Sequence, residues 1–322
     1  MAAPFNPPTS SAEKPEVPAW IPPQPTKMDL EWADLRTIEL SLLDSDDSAV
    51  VAGLVATTKA AIKEDGFLFL TNYGISLEQR EKGNYDGIEH FNFYSPEFED
   101  DNRVPRCVVP FMDEISSFCD SHDGLVGDGY FRHALYYPLD EESRIARKGV
   151  RMYGHTDYGT TTFLFSVPVT ALQIWKEDKW RYVKYNPGAL VVNLGETLEV
   201  ISGGHFKATL HKVAEPPEDQ RHEQRLSLVL FNGSKGDMRL KPMTESPLIQ
   251  REGFVLKQGI FMQFKNLIDS GLPVPTNKDW REAQIRTRLQ IAPEERLIGV
   301  KEVNGTKYGQ DIILGVPVML PV

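Results

Sequence analysis

Between Phe131 and Phe231 the chain repeats one pattern of hydrophobic and polar positions. Short apolar runs, rich in β-branched and aromatic residues, are cut at close intervals by Gly, Pro, Asp or Asn: FRHALYYP, VRMYGHTD, TTTFLF, ALQIW, WRYVKY, ALVVNL, FKATLHKV and RLSLVLF. Runs of this length and spacing predict eight strands of an antiparallel sandwich or barrel, such as a jelly roll. Upstream, Val51, Leu54, Val55, Ala61 and Ile62 recur at helical spacing, which predicts a helix over Ser48–Lys63. Gly66 ends it, and Phe67–Leu70 reads as a short apolar strand. Downstream of Lys241, GFVLKQG running into IFMQF reads as a last strand. One helix over Asp279–Leu289 and a coil-rich C-terminus follow. From Gly83 to Gly129 the pattern is poor, and only a short helix around Val109–Cys119 is expected. Residues 1–27 hold eight prolines and read as a disordered or extended tail.

Composition narrows the function classes. The 322 residues are 41% hydrophobic, enough for one large core or two modest ones. A net charge of −11 disfavours phosphate backbones and anionic lipid, so neither nucleic acid nor membrane is the expected partner. No apolar run reaches the length of a spanning helix, and the N-terminus lacks the basic and apolar pattern of a secretory signal. Two cysteines, Cys107 and Cys119, make no disulfide framework. A cytoplasmic location is expected.

The chemistry concentrates in GHTDYG, residues 154–159. On a strand, positions i and i+2 share a face, so His155 and Asp157 can aim at one point. A metal needs a third ligand, and His205, His211, His222, His90, His122 and His133 are the candidates. His211 is the best placed: its neighbours Leu210 and Val213 suit a strand, and 56 positions separate it from His155. Two imidazoles and one carboxylate suit Fe(II) with open coordination positions, although zinc also accepts such donors. The lack of an HExxH helix argues against a zinc hydrolase. Arg225 and Ser227 form a second i, i+2 pair on the next strand. A buried guanidinium beside a hydroxyl makes a carboxylate clamp, and a clamp near a metal describes a keto-acid site. Counting back by two from His155 puts Tyr153 and Arg151 on its face. Arg151 is a candidate for a substrate carboxylate, phenolate or carbonyl, with Tyr153 as a further substrate-lining residue. Lys207 is read as supporting the sheet.

Over YGHTDYGTTTFLF, LQIWKEDKWRYVKYNPGALVVNLGETLEVISGGHFKATLHKV and RLSLVLF, with EDGFLFLTNYG, DGIEHFNF and ALYYP in order upstream, the chain resembles the isopenicillin N synthase-like non-haem Fe(II)/2-oxoglutarate-dependent dioxygenases. The resemblance implies a mainly β fold with flanking helices, built on a double-stranded β-helix (jelly-roll) core. It implies Fe(II) on His155, Asp157 and His211, and 2-oxoglutarate on Arg225 and Ser227 with a hydrogen bond from Tyr137. Counting forward from Asp157 by the family's spacing, Thr162 and Leu164 should face inward, with Leu164 a further substrate-lining residue. Dioxygen and a small organic substrate complete the reactants, with ascorbate as an aid in vitro. The implied organisation is a tail (1–27) and one dioxygenase domain (28–322). That domain comprises an N-terminal mixed part (28–130), the jelly-roll core (131–265) and a C-terminal helix and tail (266–322), in which Trp280 is expected near the mouth of the site. The expected outcome is hydroxylation, with desaturation or ring rearrangement as alternatives, in secondary-metabolite biosynthesis. An iron oxidase that does not use 2-oxoglutarate and a non-catalytic binding homologue are the competing readings. The chain departs from the family pattern at Leu135, where Asn is usual, at Tyr73, where His is common, and in a long His211–Arg225 interval. Only 62 positions separate Gly74 from Tyr136, where the family places more helical sequence.

Overall fold

The computed structural model describes residues 21–73, 90–94, 130–139, 141–146, 148–256, 259–290, 299–303 and 306–321. The helix expected at Val109–Cys119, His122 and residues 1–20 of the N-terminal tail lie outside them. In chain order the strands are β1 (Thr37–Glu39), β2 (Phe67–Thr71), β3 (His90–Tyr94), β4 (Tyr130–Tyr136), β5 (Val150–His155), β6 (Thr161–Phe165), β7 (Leu172–Lys176), β8 (Lys179–Tyr182), β9 (Leu190–Leu194), β10 (His211–Ala214), β11 (Arg225–Asn232), β12 (Gly299–Val303), β13 (Thr306–Ile313) and β14 (Val316–Pro321). The α-helices are α1 (Ser48–Ala60), α2 (Glu141–Ala146), α3 (Glu196–Ile201), α4 (Pro247–Glu252), α5 (Ile260–Asp269) and α6 (Asn277–Gln290). No helix among the described residues is long and apolar enough to cross a membrane.

The strands form two facing sheets, β1-β2-β9-β6-β11-β4-β3 and β5-β10-β7-β8, whose pairings are antiparallel except for β1 with β2. This is the jelly-roll core, and all eight strands expected from the sequence are present. Period-2 alternation assigns the faces. In the larger sheet Phe67, Asn193, Thr162 and Phe231 lie side by side across four strands, and Phe69, Val191, Leu164 and Val229 form the next row. Phe67, Phe69, Leu172, Ile174 and Val191 meet in the core between the sheets. The opposite face of the larger sheet packs Leu68, Phe165, Leu190 and Val192 against Leu54 and Ala61 of the α1 region.

The α1 helix starts on Asp47, whose carboxylate accepts from the Ala49 N–H at 2.8 Å. It runs into one wider turn, Ala61–Asp65, and stops at Gly66. There φ is +64°, and a Cβ would stand 2.3 Å from the Lys207 carbonyl oxygen, so only glycine fits.

The structure corrects two expectations for the C-terminal third. IFMQF is not a strand but the start of α5, which buries Phe261, Phe264 and Leu267. That spacing of three is helical, and each such side chain contributes ~1.5–3 kcal/mol by leaving water. Residues 299–303 and 306–321 are not coil but a three-stranded meander, β12-β13-β14. Ile313, Val316 and Val318 bury against Phe264, Leu267 and Trp280, while Ile312 and Leu314 face solvent. Near the other end of the chain, the Gln24 carbonyl accepts from Gln220 Nε2 and Thr26 Oγ1 donates to Asp219, which ties residues 24–26 to the 218–220 turn.

Candidate active site

The GHTDYG motif occupies the end of β5 and the tight turn into β6. This turn is pinned from two sides. Asp157 and Gly159 carbonyls accept from the Glu196 and Thr197 N–H groups that open α3, and Thr160 N–H donates to the Asn232 carbonyl. The turn lies so close to α3 that a Cβ at Gly195 would stand 2.3 Å from the Gly159 carbonyl oxygen. His155 ends β5 directly opposite His211, the first residue of β10. The antiparallel pairing therefore brings together two residues far apart in the chain.

His155, Asp157 and His211 each offer one donor atom, and the three atoms lie within 4.8 Å of one another. Each imidazole is fixed through Nδ1, which donates to a main-chain carbonyl: Tyr153 for His155 at 2.9 Å, and Thr209 for His211 at 3.1 Å. These bonds select the tautomer and direct both Nε2 atoms at Asp157 Oδ1, 3.7 Å from each. The other carboxylate oxygen, Oδ2, accepts from Thr162 Oγ1 at 2.6 Å and Asn193 Nδ2 at 2.7 Å. Burial alone would raise the Asp157 pKa. The two imidazoles and these two hydrogen bonds outweigh it and hold the group below its ordinary value. The Phe67 ring meets His211 edge-on at 5.5 Å and closes one side.

On β11 of the larger sheet, Arg225 and Ser227 are both buried. Arg225 donates to Ser227 Oγ through one terminal nitrogen and to the Val169 carbonyl through Nε. It has no carboxylate partner among the described residues. Burial pulls its pKa down to about 10. Arg225 and Leu164 line one cleft with Leu172 and Val191, between the sheets.

The comparisons with known proteins agree with this arrangement. Residues 131–234 match the family model of the 2OG-Fe(II) oxygenase superfamily, a span that contains the triad and the Arg225–Ser227 pair. Over these residues the chain is similar to that superfamily. A 2-oxoglutarate-dependent dioxygenase of Gibberella zeae, FG08081, is 26% identical over 259 residues, which cover 71% of this chain and 75% of that protein. Flavonol synthase 1 of Crocosmia x crocosmiiflora is 26% identical over 180 residues, 47% of this chain and 53% of its own length. In fold, the chain is similar to a full-length Neurospora crassa protein solved in complex with alpha-KG and 5-formyluracil. The TM-score is 0.56 at 19% identity, over 67% of this chain and 91% of that one.

Members of the 2OG-Fe(II) oxygenase superfamily are oxidoreductases that use Fe(II) and 2-oxoglutarate, and the donor set fits the metal. Two imidazoles with Nδ1 committed to main-chain carbonyls and one carboxylate whose other oxygen is held by Thr162 and Asn193 present an N, N, O set on one side of a point.

The other histidine candidates lie away from this set. His205 is buried with Nε2 against the Gly253 carbonyl, and His222 sits exposed beside Glu223. His133 is opposite Leu228, in the register of the other face, and His90 belongs to β3 at the edge of the larger sheet. Tyr137, implied by the resemblance, lies beyond the end of β4 and is 39% exposed. Tyr136 takes the place beside the clamp: it pairs with Arg225 across the strands, and its ring lies 5.9 Å under the guanidinium. Tyr153, expected inward, is 41% exposed. An irregularity in the β5–β10 register between His211 and Val213 breaks the alternation there. Arg151 is buried, Leu164 faces inward, and Lys207 reaches the Glu64 carbonyl at 3.4 Å on the support side. Trp280 is fully buried in the C-terminal cluster rather than at a mouth.

Sequence reasoning missed Asn193, though a lone amide within ALVVNL is itself a signal for a buried hydrogen-bond donor. It also missed Glu196. This fully buried carboxylate accepts from Thr156 Oγ1, Trp280 Nε1 at 2.7 Å and Gln284 Nε2 at 3.0 Å. It thereby ties α6 to the residue between the first two members of the triad.

Proposed function

We propose that the chain is an Fe(II)- and 2-oxoglutarate-dependent dioxygenase that hydroxylates a small organic molecule in secondary-metabolite biosynthesis, with residues 28–322 as its catalytic domain. The observation that carries this reading is a buried arginine without an acid partner among the described residues, on the larger sheet, together with a convergent His, Asp, His set whose two histidines lie on the smaller sheet. In this reading His155, Asp157 and His211 hold the iron, and Arg225 and Ser227 receive the distal carboxylate of the keto acid. When bound, iron and 2-oxoglutarate supply the oxidation: dioxygen is consumed, the keto acid becomes succinate and carbon dioxide, and the substrate gains one oxygen atom.

The chain's own residues do the positioning. Tyr153 and Thr209 carbonyls hold the imidazole tautomers, Thr162 and Asn193 hold the carboxylate ionised, and Phe67, Leu164 and Val191 keep the space between metal and clamp apolar and dry. A small-molecule substrate is supported by the names of the proteins the chain resembles, a flavonol synthase and a fungal protein solved with 5-formyluracil. A net charge of −11 supports a substrate other than nucleic acid.

The test is anaerobic titration of the purified protein with Fe(II) and 2-oxoglutarate, followed by admission of oxygen. The reading requires a visible metal-to-ligand band, then succinate release. A protein that shows neither overturns it. Oxygen uptake without 2-oxoglutarate would favour the oxidase reading instead.

A further inference from the structure

Arg151 stands out among the charged groups of the interior. Its side chain lies on β5, four residues before His155, and only 8% of its surface is exposed. None of its three guanidinium nitrogens has a hydrogen-bond partner among the described residues. A buried guanidinium is costly unless its fork is filled, because all five N–H donors have left water. Tyr136, Glu215 and Arg225 are the groups within electrostatic reach of it. Glu215 does not fill the fork: its carboxylate, only 12% exposed, lies 3.5 Å from Arg221 Nε. Tyr136 is the residue paired across the strands with Arg225. Arg151 and Arg225 are thus two buried guanidinium groups within electrostatic reach of one another and of the Tyr136 phenol, and among the described residues neither makes an ion pair with an acid. Burial depresses the pKa of both, and Arg151 lowers that of Arg225 further, while Glu215 and Tyr136 oppose the fall at Arg151.

Such an arrangement is poised for an anion. The pair repels when empty and is satisfied when one carboxylate, with two oxygens and four lone-pair directions, lies between the forks. We propose that Arg151 is a second anchor for the distal carboxylate of the keto acid, so that the clamp consists of Arg151 and Arg225 with Ser227 and Tyr136. The inference rests on the proposed use of 2-oxoglutarate and adds a binding residue outside the Arg225–Ser227 pair.

The experiment compares wild type, Arg151→Gln and Arg151→Lys, each loaded anaerobically with Fe(II) and titrated with 2-oxoglutarate and with pyruvate. Pyruvate has the chelating keto acid but no distal carboxylate. The proposal predicts a Kd for 2-oxoglutarate about 10- to 100-fold higher in Arg151→Gln, the range for one charge-assisted contact. Arg151→Lys falls between, because it keeps the charge and loses the fork. Pyruvate binds all three proteins alike. Wild-type affinity for 2-oxoglutarate in either folded variant overturns the proposal, as does an equal loss for both keto acids. So does unfolding of metal-free Arg151→Gln, since removing one of two repelling cations should not destabilise the empty protein. Failure of the wild type to bind 2-oxoglutarate at all would strike the functional reading itself, a result distinct from these.

Discussion

Replacing Thr162 with Val tests how the fold prepares the Asp157 carboxylate. The change is nearly isosteric and removes one buried hydrogen bond, from Thr162 Oγ1 to Asp157 Oδ2 at 2.6 Å, leaving only the amide of Asn193 on that oxygen. A hydrogen bond to a charged acceptor is worth about 1.5–3 kcal/mol, and much of that is lost when the acceptor stays buried. Outer partners of this kind typically change metal affinity about 10- to 100-fold, because the ligating oxygen is both less fixed and less ionised without them. The expected result is a folded T162V protein whose Fe(II) affinity, measured by anaerobic titration, falls by about one to two orders of magnitude. T162S, which keeps the hydroxyl, stays within a few-fold of wild type. Wild-type iron affinity in T162V would refute the claim that this bond prepares the ligand, and an equal loss in T162S would assign the effect to packing.

His211→Ala should abolish the visible band of the Fe(II)–2-oxoglutarate complex while the protein stays folded by circular dichroism. Trp280→Phe removes the 2.7 Å donor to buried Glu196 and should cost about 1.5–3 kcal/mol in denaturant unfolding. It should also weaken iron binding through Thr156; a loss of stability with unchanged iron affinity would confine α6 to a structural role. Glu199 is buried, and burial pushes its pKa up to about 7 despite hydrogen bonds from the Phe261 and Ala208 N–H groups. Because the folded protein holds this proton more tightly than the unfolded chain, its stabilising share is complete below about pH 4.5 and is lost as pH rises through 7. That share is about 3 kcal/mol. Urea titrations of wild type and Glu199→Gln across that range should show the slope in the former and its disappearance in the latter.

The sheets were legible because period-2 runs bounded by turn residues are a local signal, and each strand needs only its neighbours in the chain to declare itself. The triad was legible for a related reason: i, i+2 spacing fixes a shared face, and among the histidines that follow His155 only His211 sat in a strand-like run. The failures were failures of parity and of period. Tyr136, not Tyr137, faces Arg225 because pairing with β11 sets the register of β4, and no residue of β4 alone reveals that partner. Tyr153 points outward because the β5–β10 pairing is irregular beside it, and such an irregularity leaves no mark in composition. IFMQF reads equally as strand or helix over five residues, and only Phe264 and Leu267, at helical spacing from Phe261, resolve the period. Arg151 could be counted inward from His155, but its empty fork and its nearness to Arg225 depend on tertiary packing.

The central claim is that one ferrous ion sits among His155, Asp157 and His211 with a keto acid reaching back to Arg225. An anaerobic crystal structure with Fe(II) and 2-oxoglutarate, with iron located by its anomalous signal, tests it most directly. The account predicts iron bonded to both Nε2 atoms and to Asp157 Oδ1, with the distal carboxylate on Arg225. Iron at another site, or His211 turned away from it, would contradict the account.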